Sequence, residues 1–175
     1  MATAIFGGGC FWCTEAVFDA LEGVSLVEPG YTGGHVEHPT YEQICRADTG
    51  HIEVIRIEYD PVVVSYETLL DIFFATHNPT TPERQGNDVG PQYQSAVFYQ
   101  DEEQRRLAQA AIEAVDASNA WAQPVCTKVL PAAPFWVAES YHHDYFAQNP
   151  RQGYCQFIIA PKMAKLVEQH GDKLK

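Results

Sequence analysis

The stretch ATAIFGGGCFWCTEA, residues 2–16, changes from a strand pattern to a helix pattern within a few positions. Residues 2–6 form a short apolar run that is typical of a buried strand, and three glycines then interrupt it. Between residues 13 and 22 the apolar side chains recur at helical spacing. The stretch therefore predicts a strand, a glycine turn and a helix, with Cys10 and Cys13 at the point where the helix begins.

The remaining sequence predicts an α+β fold. The first elements follow the order strand, helix, strand, strand, helix, strand, which resembles the split βαβ, or ferredoxin-like, plan. We therefore predict a ferredoxin-like α/β sandwich, with a mixed sheet, helices packed on it and an irregular C-terminal segment. Further strands are predicted at 24–27, 51–59, 95–99 and 125–130, helices after the N-caps Ser65 and Asp101 and at 135–146 and 161–170, and a long turn-rich loop at 77–93.

Size and charge exclude several classes of protein. The 175 residues, 46% of them apolar, suit one domain that spans residues 1–175. With 23 acidic and 11 basic side chains the net charge is −12, which argues against nucleic acid or an anionic membrane as a partner. No apolar run has the ~18 residues of a membrane span, and no signal-peptide pattern is visible. We expect a cytoplasmic monomer.

The five cysteines favour reactive or buried thiols over structural sites. An odd number of cysteines without a signal peptide does not indicate a disulfide framework. A structural zinc site needs four soft ligands, and no second Cys-x-x-Cys pair is present. We therefore expect no metal and no cofactor. The five are Cys10, Cys13, Cys45, Cys126 and Cys155, of which Cys45 and Cys126 are expected to be buried and inert.

The position of Cys10 and Cys13 indicates a reactive thiol. A helix N-terminus carries a partial positive charge and unpaired N–H groups, which stabilise a thiolate and lower its pKa below the usual ~8.5. Between the two cysteines stand Phe11 and Trp12, which are large for a turn. These aromatics either fill the core or build an apolar pocket beside the sulfur, and residue type alone does not decide between the two.

Glu53 is a carboxylate on the apolar face of a predicted strand. In the sequence HIEVIRIEY it is in phase with Ile55 and Ile57, whereas Arg56 and Glu58 share the opposite face. Burial raises the pKa of a carboxyl group, and a carboxylic acid that stays protonated can donate a proton near neutral pH. The alternative is that Glu53 stands at the strand end and reaches water.

The motifs together resemble the A-type peptide methionine sulfoxide reductases. In chain order they are GCFW, YTGG, PTYEQIC, DTGHIE, HNPTT, RQGNDVGPQYQSAVF, AESYHHDY and GYC, and they extend from Ala4 to about Pro161. The combination of GCFW, GHIE and RQGND at these separations is highly specific. The resemblance implies an enzyme that reduces the S epimer of methionine sulfoxide, free or in proteins, to methionine.

The same resemblance implies a role for each site residue. Cys10 is the nucleophile that becomes a sulfenic acid, and Glu53 is the acid that protonates the departing oxygen. Tyr41 and Tyr93 hold the sulfoxide oxygen with their hydroxyl groups. Asp88 orients the substrate. Phe11 and Trp12 form the wall that holds the methyl group, which resolves the alternative left open above.

A second thiol must convert the sulfenic acid into a disulfide. Cys155 matches the family's usual resolving position near the C-terminus, and the resemblance favours it. Cys13 stands where many relatives carry glycine, and it is the alternative, either alone or in a relay with Cys155. The family's second recycling cysteine is absent from the final stretch. The resemblance therefore implies direct reduction of the disulfide by thioredoxin.

Two other functions, and the roles of two histidines, stay open at this point. A thioredoxin-like dithiol oxidoreductase would use CFWC alone, but it leaves Glu53 and Asp88 unexplained. A non-enzymatic module that binds oxidised segments through its aromatic residues would show stoichiometric binding without turnover. His51 and His142 could touch the site, although packed or surface positions are the simpler expectation.

Overall fold

The computed structural model describes residues 1–46, 48–86, 88–142, 145–149, 153 and 159–175. The strands are β1 (Ala2–Gly8), β2 (Val24–Thr32), β3 (Ile52–Tyr59), β4 (Arg84–Gln85), β5 (Asp88–Val89), β6 (Ser95–Tyr99), β7 (Lys128–Pro131) and β8 (Phe135–Val137). The helices are α1 (Phe11–Asp19), α2 (Tyr41–Cys45), α3 (Tyr66–Ala75), α4 (Glu102–Ala117), α5 (Tyr145–Gln148) and α6 (Ala160–His170).

One mixed sheet organises the described part of the chain. Its strands follow the order β7-β6-β1-β3-β2-β8. Neighbouring strands are antiparallel, except that β6 and β7 run parallel. Since helices pack against this sheet, the predicted α+β class with a mixed sheet is confirmed.

The main hydrophobic core lies between the sheet and the helices α1 and α3. Phe6 of β1 is fully buried and its ring contacts Phe18 of α1 and Phe73 of α3, at centroid distances of 5.6 and 4.8 Å. Aromatic pairs at such distances add to the free energy gained from burying their area. This packing holds α1 and α3 against β1, the strand that leads to Cys10.

The predicted helix starts at residues 65 and 101 are confirmed. The side chain of Ser65 accepts a hydrogen bond from the N–H of Thr68 at 3.1 Å, and Asp101 accepts one from Gln104 at 2.8 Å. The Gln104 side chain accepts a hydrogen bond from the N–H of Gln100 and donates one to the Thr3 carbonyl. Within the described ranges, no helix combines the length and apolar character that crossing a membrane requires.

The helix predicted at residues 135–146 is wrong. The segment begins with β8, which pairs antiparallel with the end of β2, and β2 itself continues to Thr32, beyond the predicted end at residue 27. Phe135, Trp136 and Val137 have high strand propensity, and Pro134 precedes them. Pairing with the open edge of β2 satisfies their backbone groups, so tertiary contact decides the structure here. A 3-10 turn at Ser140–His142 and α5 follow.

The long loop at residues 77–93 has internal structure. It contains the β4–β5 hairpin and a 3-10 turn at Pro91–Tyr93. The Gln85 side chain accepts a hydrogen bond from the N–H of Asn78 at 2.9 Å and donates one to the Asn78 carbonyl at 2.8 Å. A side chain added at Gly9 would meet Gln85 Cγ at 2.6 Å. The hairpin therefore packs directly against the glycine turn, and the two hydrogen bonds between Gln85 and Asn78 hold it in this locked position.

Candidate active site

Cys10 occupies the N-cap position of α1. Gly9 before it adopts φ +93°, a left-handed conformation that favours glycine. Cys10 itself is extended and accepts the first helical hydrogen bond, from the N–H of Cys13 to its carbonyl oxygen at 3.1 Å. The residue is 7% exposed. The strand–glycine–helix pattern thus places the sulfur at a helix N-terminus, as the sequence predicts.

The expected low pKa of the Cys10 thiol is not found. Burial raises its pKa well above the ordinary value, and a hydrogen bond with the Cys13 side chain and the charge of Glu53 raise it further. The Trp12 N–H donates to the sulfur and lowers the pKa, but this helix-end effect is the smaller one. Desolvation therefore outweighs the helix terminus, and the resting sulfur is a thiol.

Glu53 brings a buried carboxyl group to the start of α1. The residue lies on β3 opposite Tyr31 and is 1% exposed, so it does not reach water. Its Oε1 accepts a hydrogen bond from the N–H of Phe11 at 3.3 Å, while Oε2 has no hydrogen-bond partner among the described residues. Burial raises the pKa of Glu53 to about 8, against the lowering effect of the Phe11 N–H and with smaller contributions from Asp88 and Cys13.

Tyr41 and Tyr93 are half-buried, and both lie near enough to Glu53 and Cys10 to interact with their charges. Tyr41 is the first residue of α2, and Tyr93 ends the 3-10 turn after the β4–β5 hairpin. Burial raises the pKa of both hydroxyl groups above the ordinary value, and the charge of Glu53 is the next cause in each case. The Cys10 charge raises both as well. Both tyrosines are therefore hydrogen-bond donors across the physiological pH range.

Asp88 joins this group from β5. It pairs with Gln85 across the hairpin that is locked over Gly9, and it is half-buried. Its charge raises the pKa of Glu53 and of Tyr93. The structure thus brings together the acidic and phenolic residues that the resemblance assigned to the site.

Phe11 and Trp12 have different surroundings. Phe11 is fully buried in the main core, where its ring contacts Tyr31 at 5.6 Å. Trp12 is half-buried, and its indole ring stacks on Tyr145 at a centroid distance of 3.9 Å and an angle of 9°. Trp12 therefore offers an aromatic surface beside the sulfur, and Phe11 packs in the core next to it in the chain; their shared role in holding the methyl group stays a prediction.

The cysteines other than Cys10 lie in different settings. Cys13 is 2% exposed and packs with Cys10 and Ile159. Cys126 is half-buried and donates from Sγ to the Pro79 carbonyl at 3.3 Å. The expectation of a buried thiol is wrong for Cys45, which is exposed because α2 is a single-turn helix at the surface. Cys155 lies outside the described residues.

His142 and Glu139 belong to the site, although residue pattern alone gave them no role. The fully buried ring of His142 contacts Phe11, Trp12 and Tyr41. Glu139 accepts the N–H of Tyr41 at 3.1 Å. The spacing Glu-x-x-His in AESYH was the available signal, since such a spacing places both side chains on one side of a turn.

The His51 ring contacts the backbone of the loop at residues 34–36. The N–H of Gly34 donates to His51 Nδ1 at 3.0 Å, and His51 Nε2 lies 2.7 Å from the Val36 carbonyl, so this ring supports a loop. Across the residues that the structure places, His, Cys, Asp and Glu form no group of three or more able to hold a metal ion.

Comparison with known proteins gives one consistent result. The family model described as peptide methionine sulfoxide reductase matches residues 2–175. The peptide methionine sulfoxide reductase MsrA of Ralstonia nicotianae is 55% identical, over 100% of this chain and 94% of that protein. The reductase A of Corynebacterium diphtheriae is 33% identical with a TM-score of 0.82, over 89% of this chain and 77% of that structure.

A yeast structure agrees with this result. Reduced Mxr1 from Saccharomyces cerevisiae is 29% identical with a TM-score of 0.80, over 88% of each chain. Mxr1 has also been solved in complex with Trx2, and that structure shares the fold at 21% identity with a TM-score of 0.55, over 82% of this chain and 84% of that one. This chain belongs to the peptide methionine sulfoxide reductase family and is an oxidoreductase that reduces methionine sulfoxide.

Proposed function

We propose that Cys10 is the nucleophile and Glu53 the acid of this reaction. The observation that carries the proposal is the hydrogen bond from Phe11 N–H to Glu53 Oε1, because it holds a carboxyl group with a pKa of about 8 beside the residue that carries the sulfur. A sulfoxide oxygen leaves only after protonation, so an acid that is protonated at neutral pH has to be near. Tyr41 and Tyr93 donate to the same oxygen.

The first step transfers oxygen from the substrate to the enzyme. The Cys10 sulfur attacks the sulfoxide sulfur as a thiolate while Glu53 protonates the oxygen. A bond forms between the two sulfurs, and this bond and the sulfur–oxygen bond of the substrate then break as the hydroxyl group passes to Cys10. Methionine leaves, Cys10 becomes a sulfenic acid, and the proton that the Cys10 thiol lost restores Glu53. The substrate is reduced by two electrons and Cys10 is oxidised by two, so no cofactor is needed.

The second step converts the sulfenic acid into a disulfide with loss of water. We assign the first resolving role to Cys155, as the resemblance implies. Cys13 is the competing thiol, because its side chain already forms a hydrogen bond with Cys10. A dithiol of the thioredoxin class then reduces the disulfide. The Mxr1–Trx2 complex supports this partner for a related protein.

We also propose the finer features of fold and context. The element order β1, α1, β2, β3, α3, β6 and the strand order β6-β1-β3-β2 support the ferredoxin-like label, with α2 as an insertion. One catalytic domain over residues 1–175 is supported by the six-stranded sheet and by the main core that packs on it in the described part of the chain. A monomer in the cytoplasm, acting on S-sulfoxides free or in proteins, is the simplest setting for recycling by thioredoxin.

Disulfide mapping after a single turnover tests this proposal. Reduced enzyme receives one equivalent of racemic methionine sulfoxide without any recycling reductant, and methionine and disulfides are then measured by mass spectrometry. We expect methionine together with a Cys10–Cys155 disulfide, none of either in Cys10→Ser, and no change in the matched control Cys126→Ser.

Each other result has a defined meaning. A Cys10–Cys13 disulfide would assign the first resolving step to Cys13, and a Cys13–Cys155 disulfide would indicate a relay. If the wild-type enzyme forms neither methionine nor a disulfide, the reductase assignment fails, and a module that only binds oxidised segments takes its place.

A further inference from the structure

His142 lies at the centre of the aromatic residues that surround the proposed substrate position. It ends the 3-10 turn Ser140–His142 and is fully buried. Its ring centroid lies 4.5 Å from that of Tyr41, 5.1 Å from that of Phe11 and 5.6 Å from that of Trp12. One imidazole therefore contacts both residues predicted to form the methyl wall and a proposed oxygen donor.

The contact with Trp12 includes a directional hydrogen bond. Trp12 Nε1 donates to His142 Nδ1 at 3.0 Å. An indole N–H can only donate, so Nδ1 of His142 has to be the unprotonated nitrogen of the ring. Stacking on Tyr145 does not by itself set the rotation of the indole in its own plane, whereas a directional hydrogen bond does.

The turn that presents His142 also holds the backbone of Tyr41. The N–H of His142 bonds to the Glu139 carbonyl at 3.0 Å. The Glu139 carboxylate accepts the Tyr31 hydroxyl at 3.3 Å with one oxygen and the Tyr41 N–H at 3.1 Å with the other. Because one short turn contacts both Trp12 and Tyr41, it fixes these two residues relative to each other.

We propose that His142 is a positioning residue that, through its Nδ1 acceptor, fixes Trp12 beside Tyr41 so that the methyl wall and an oxygen donor meet the same sulfoxide. This inference rests on the proposed function, in which Tyr41 contacts the substrate, and on the prediction that Trp12 is part of the methyl wall. It predicts that loss of the acceptor weakens substrate use by loosening Trp12, while the chemistry of Cys10 stays intact.

Two substitutions at position 142 separate the acceptor from the volume of the ring. His142→Asn keeps an acceptor oxygen close to the place of Nδ1, and His142→Leu keeps similar bulk without any acceptor. We expect kcat/KM for methionine sulfoxide to fall about 10-fold in H142L, mainly through KM, and by no more than about 3-fold in H142N. In a Trp12→Phe background, which lacks the donor, H142L should cost less than about 2-fold.

A spectroscopic readout reports the bond itself. The indole N–H resonance of Trp12, identified by its loss in W12F among the signals of the three tryptophans, should move in H142L and stay close to its wild-type position in H142N. Thermal unfolding and the rate of Cys10 alkylation by a neutral reagent show whether each variant is folded with a normal thiol.

The outcomes distinguish this proposal from the proposed function. If wild-type enzyme makes no methionine, the proposed function fails first. If wild-type enzyme turns over while H142N and H142L lose equal activity, or while H142L costs as much in W12F as in wild type, the positioning role of His142 is overturned. If H142L does not fold, H142N decides the question. Its kcat/KM and its Trp12 indole N–H resonance are each compared with those of wild type. If the bond between Trp12 and His142 did not exist, changes in the resonance and changes in kcat/KM would not go together.

Discussion

The backbone N–H of Phe11 and the carboxyl oxygen Oε1 of Glu53 form a hydrogen bond of 3.3 Å between residues 42 positions apart in the chain. The bond joins the first turn of α1 to the middle of the sheet. It favours the charged carboxylate, but burial favours the neutral acid by more, and the pKa settles at about 8. The acid is thereby held beside Cys10 and still carries its proton at neutral pH.

Replacing Glu53 by Gln should remove the proton donor without changing its shape. We expect kcat/KM for methionine sulfoxide to fall by about 10² to 10⁴. In wild type, activity should decline as the pH rises through about 8, because Glu53 then loses its proton. E53Q should lack this alkaline decline and keep the rise with pH that comes from ionisation of Cys10. Steady-state pH profiles of both proteins check the prediction.

The same substitution should change stability in a pH-dependent way. The folded state holds the Glu53 proton more tightly than the unfolded chain, so wild type loses stability as the pH rises towards about 8, whereas E53Q does not. Urea unfolding should show E53Q gaining a few kcal/mol over wild type between pH 5 and pH 8. Glu58→Gln, on the same strand but facing the other way, is the control. Equal pH dependence in E53Q and wild type would sink the assignment of Glu53 as a buried acid.

Removing the hydroxyl of Tyr41 or Tyr93 should lower kcat more than it raises KM. Both hydroxyl groups keep their protons, and a donor aimed at developing negative charge acts mainly in the transition state. We expect each Tyr→Phe variant to lose about 10- to 100-fold in kcat, because the other tyrosine remains, and the double variant to lose more than either. Tyr99→Phe, on β6, is the matched control. A pair of variants with wild-type kcat would contradict the shared oxygen site.

Much of the fold was accessible from local pattern, and the exceptions share one cause. The strand at Ser95–Tyr99 and the starts of α3 and α4 lie where periodicity and capping residues placed them. The prediction of a helix at 135–137 was wrong because the strand conformation of this segment depends on the edge of β2, which is far away in sequence. Local propensity does not report which sheet edge is vacant.

The site residues likewise fall into those that local pattern predicts and those that it does not. The alternation of β3 was sufficient to place Glu53 in the interior, and the glycine turn placed Cys10 at a helix start. Tyr41 and Asp88 stand in segments without periodicity, so only the resemblance to a family pointed to them. The pKa of the Cys10 thiol was predicted in the wrong direction because it depends on burial and on the charge of Glu53, which arrive through tertiary packing.

A methyl group at Gly9 should be far more costly than one at Gly86. Both glycines have positive φ, +93° and +58°, so each Ala variant carries the same kind of backbone strain, about 1–2 kcal/mol. At Gly9 the new Cβ would meet Gln85 Cβ at 2.7 Å, whereas at Gly86 no atom of the described residues lies within 4 Å of it. We expect G9A to lose at least 1 kcal/mol more than G86A in urea unfolding.

Catalytic activity should also differ between G9A and G86A. Gln85 packs against Gly9 and belongs to the hairpin that carries Asp88, so pushing Gln85 away from Gly9 should displace Asp88 from Cys10 and Glu53. G9A should therefore lose kcat/KM, and G86A should keep it. If both variants behave alike in stability and in activity, the hairpin is not locked over the turn in the way described.

His77 should make the enzyme sensitive to mild acid. Its ring is buried behind the glycine turn, bonded to the Phe73 carbonyl on one side and to Ser95 Oγ, at 2.8 Å, on the other. Burial lowers the pKa of His77 to about 3, and the charge of Lys162 adds to this. The unfolded chain takes up a proton at this residue near pH 6.5 while the folded protein does not, so stability is lost as the pH falls below that value.

The size of this loss follows from the difference between the pKa of His77 in the unfolded chain and its pKa in the folded protein. At pH 5 wild type should be about 2 kcal/mol less stable than at pH 7 through this residue alone. His77→Gln keeps an acceptor for Ser95 but does not titrate, so it should start about 1 kcal/mol lower at pH 7 and lose less on acidification. His170→Gln, near the end of α6, controls for the general loss of a histidine. Urea unfolding at both pH values decides the matter: parallel losses in H77Q and wild type would mean that His77 accepts a proton without disturbing the fold.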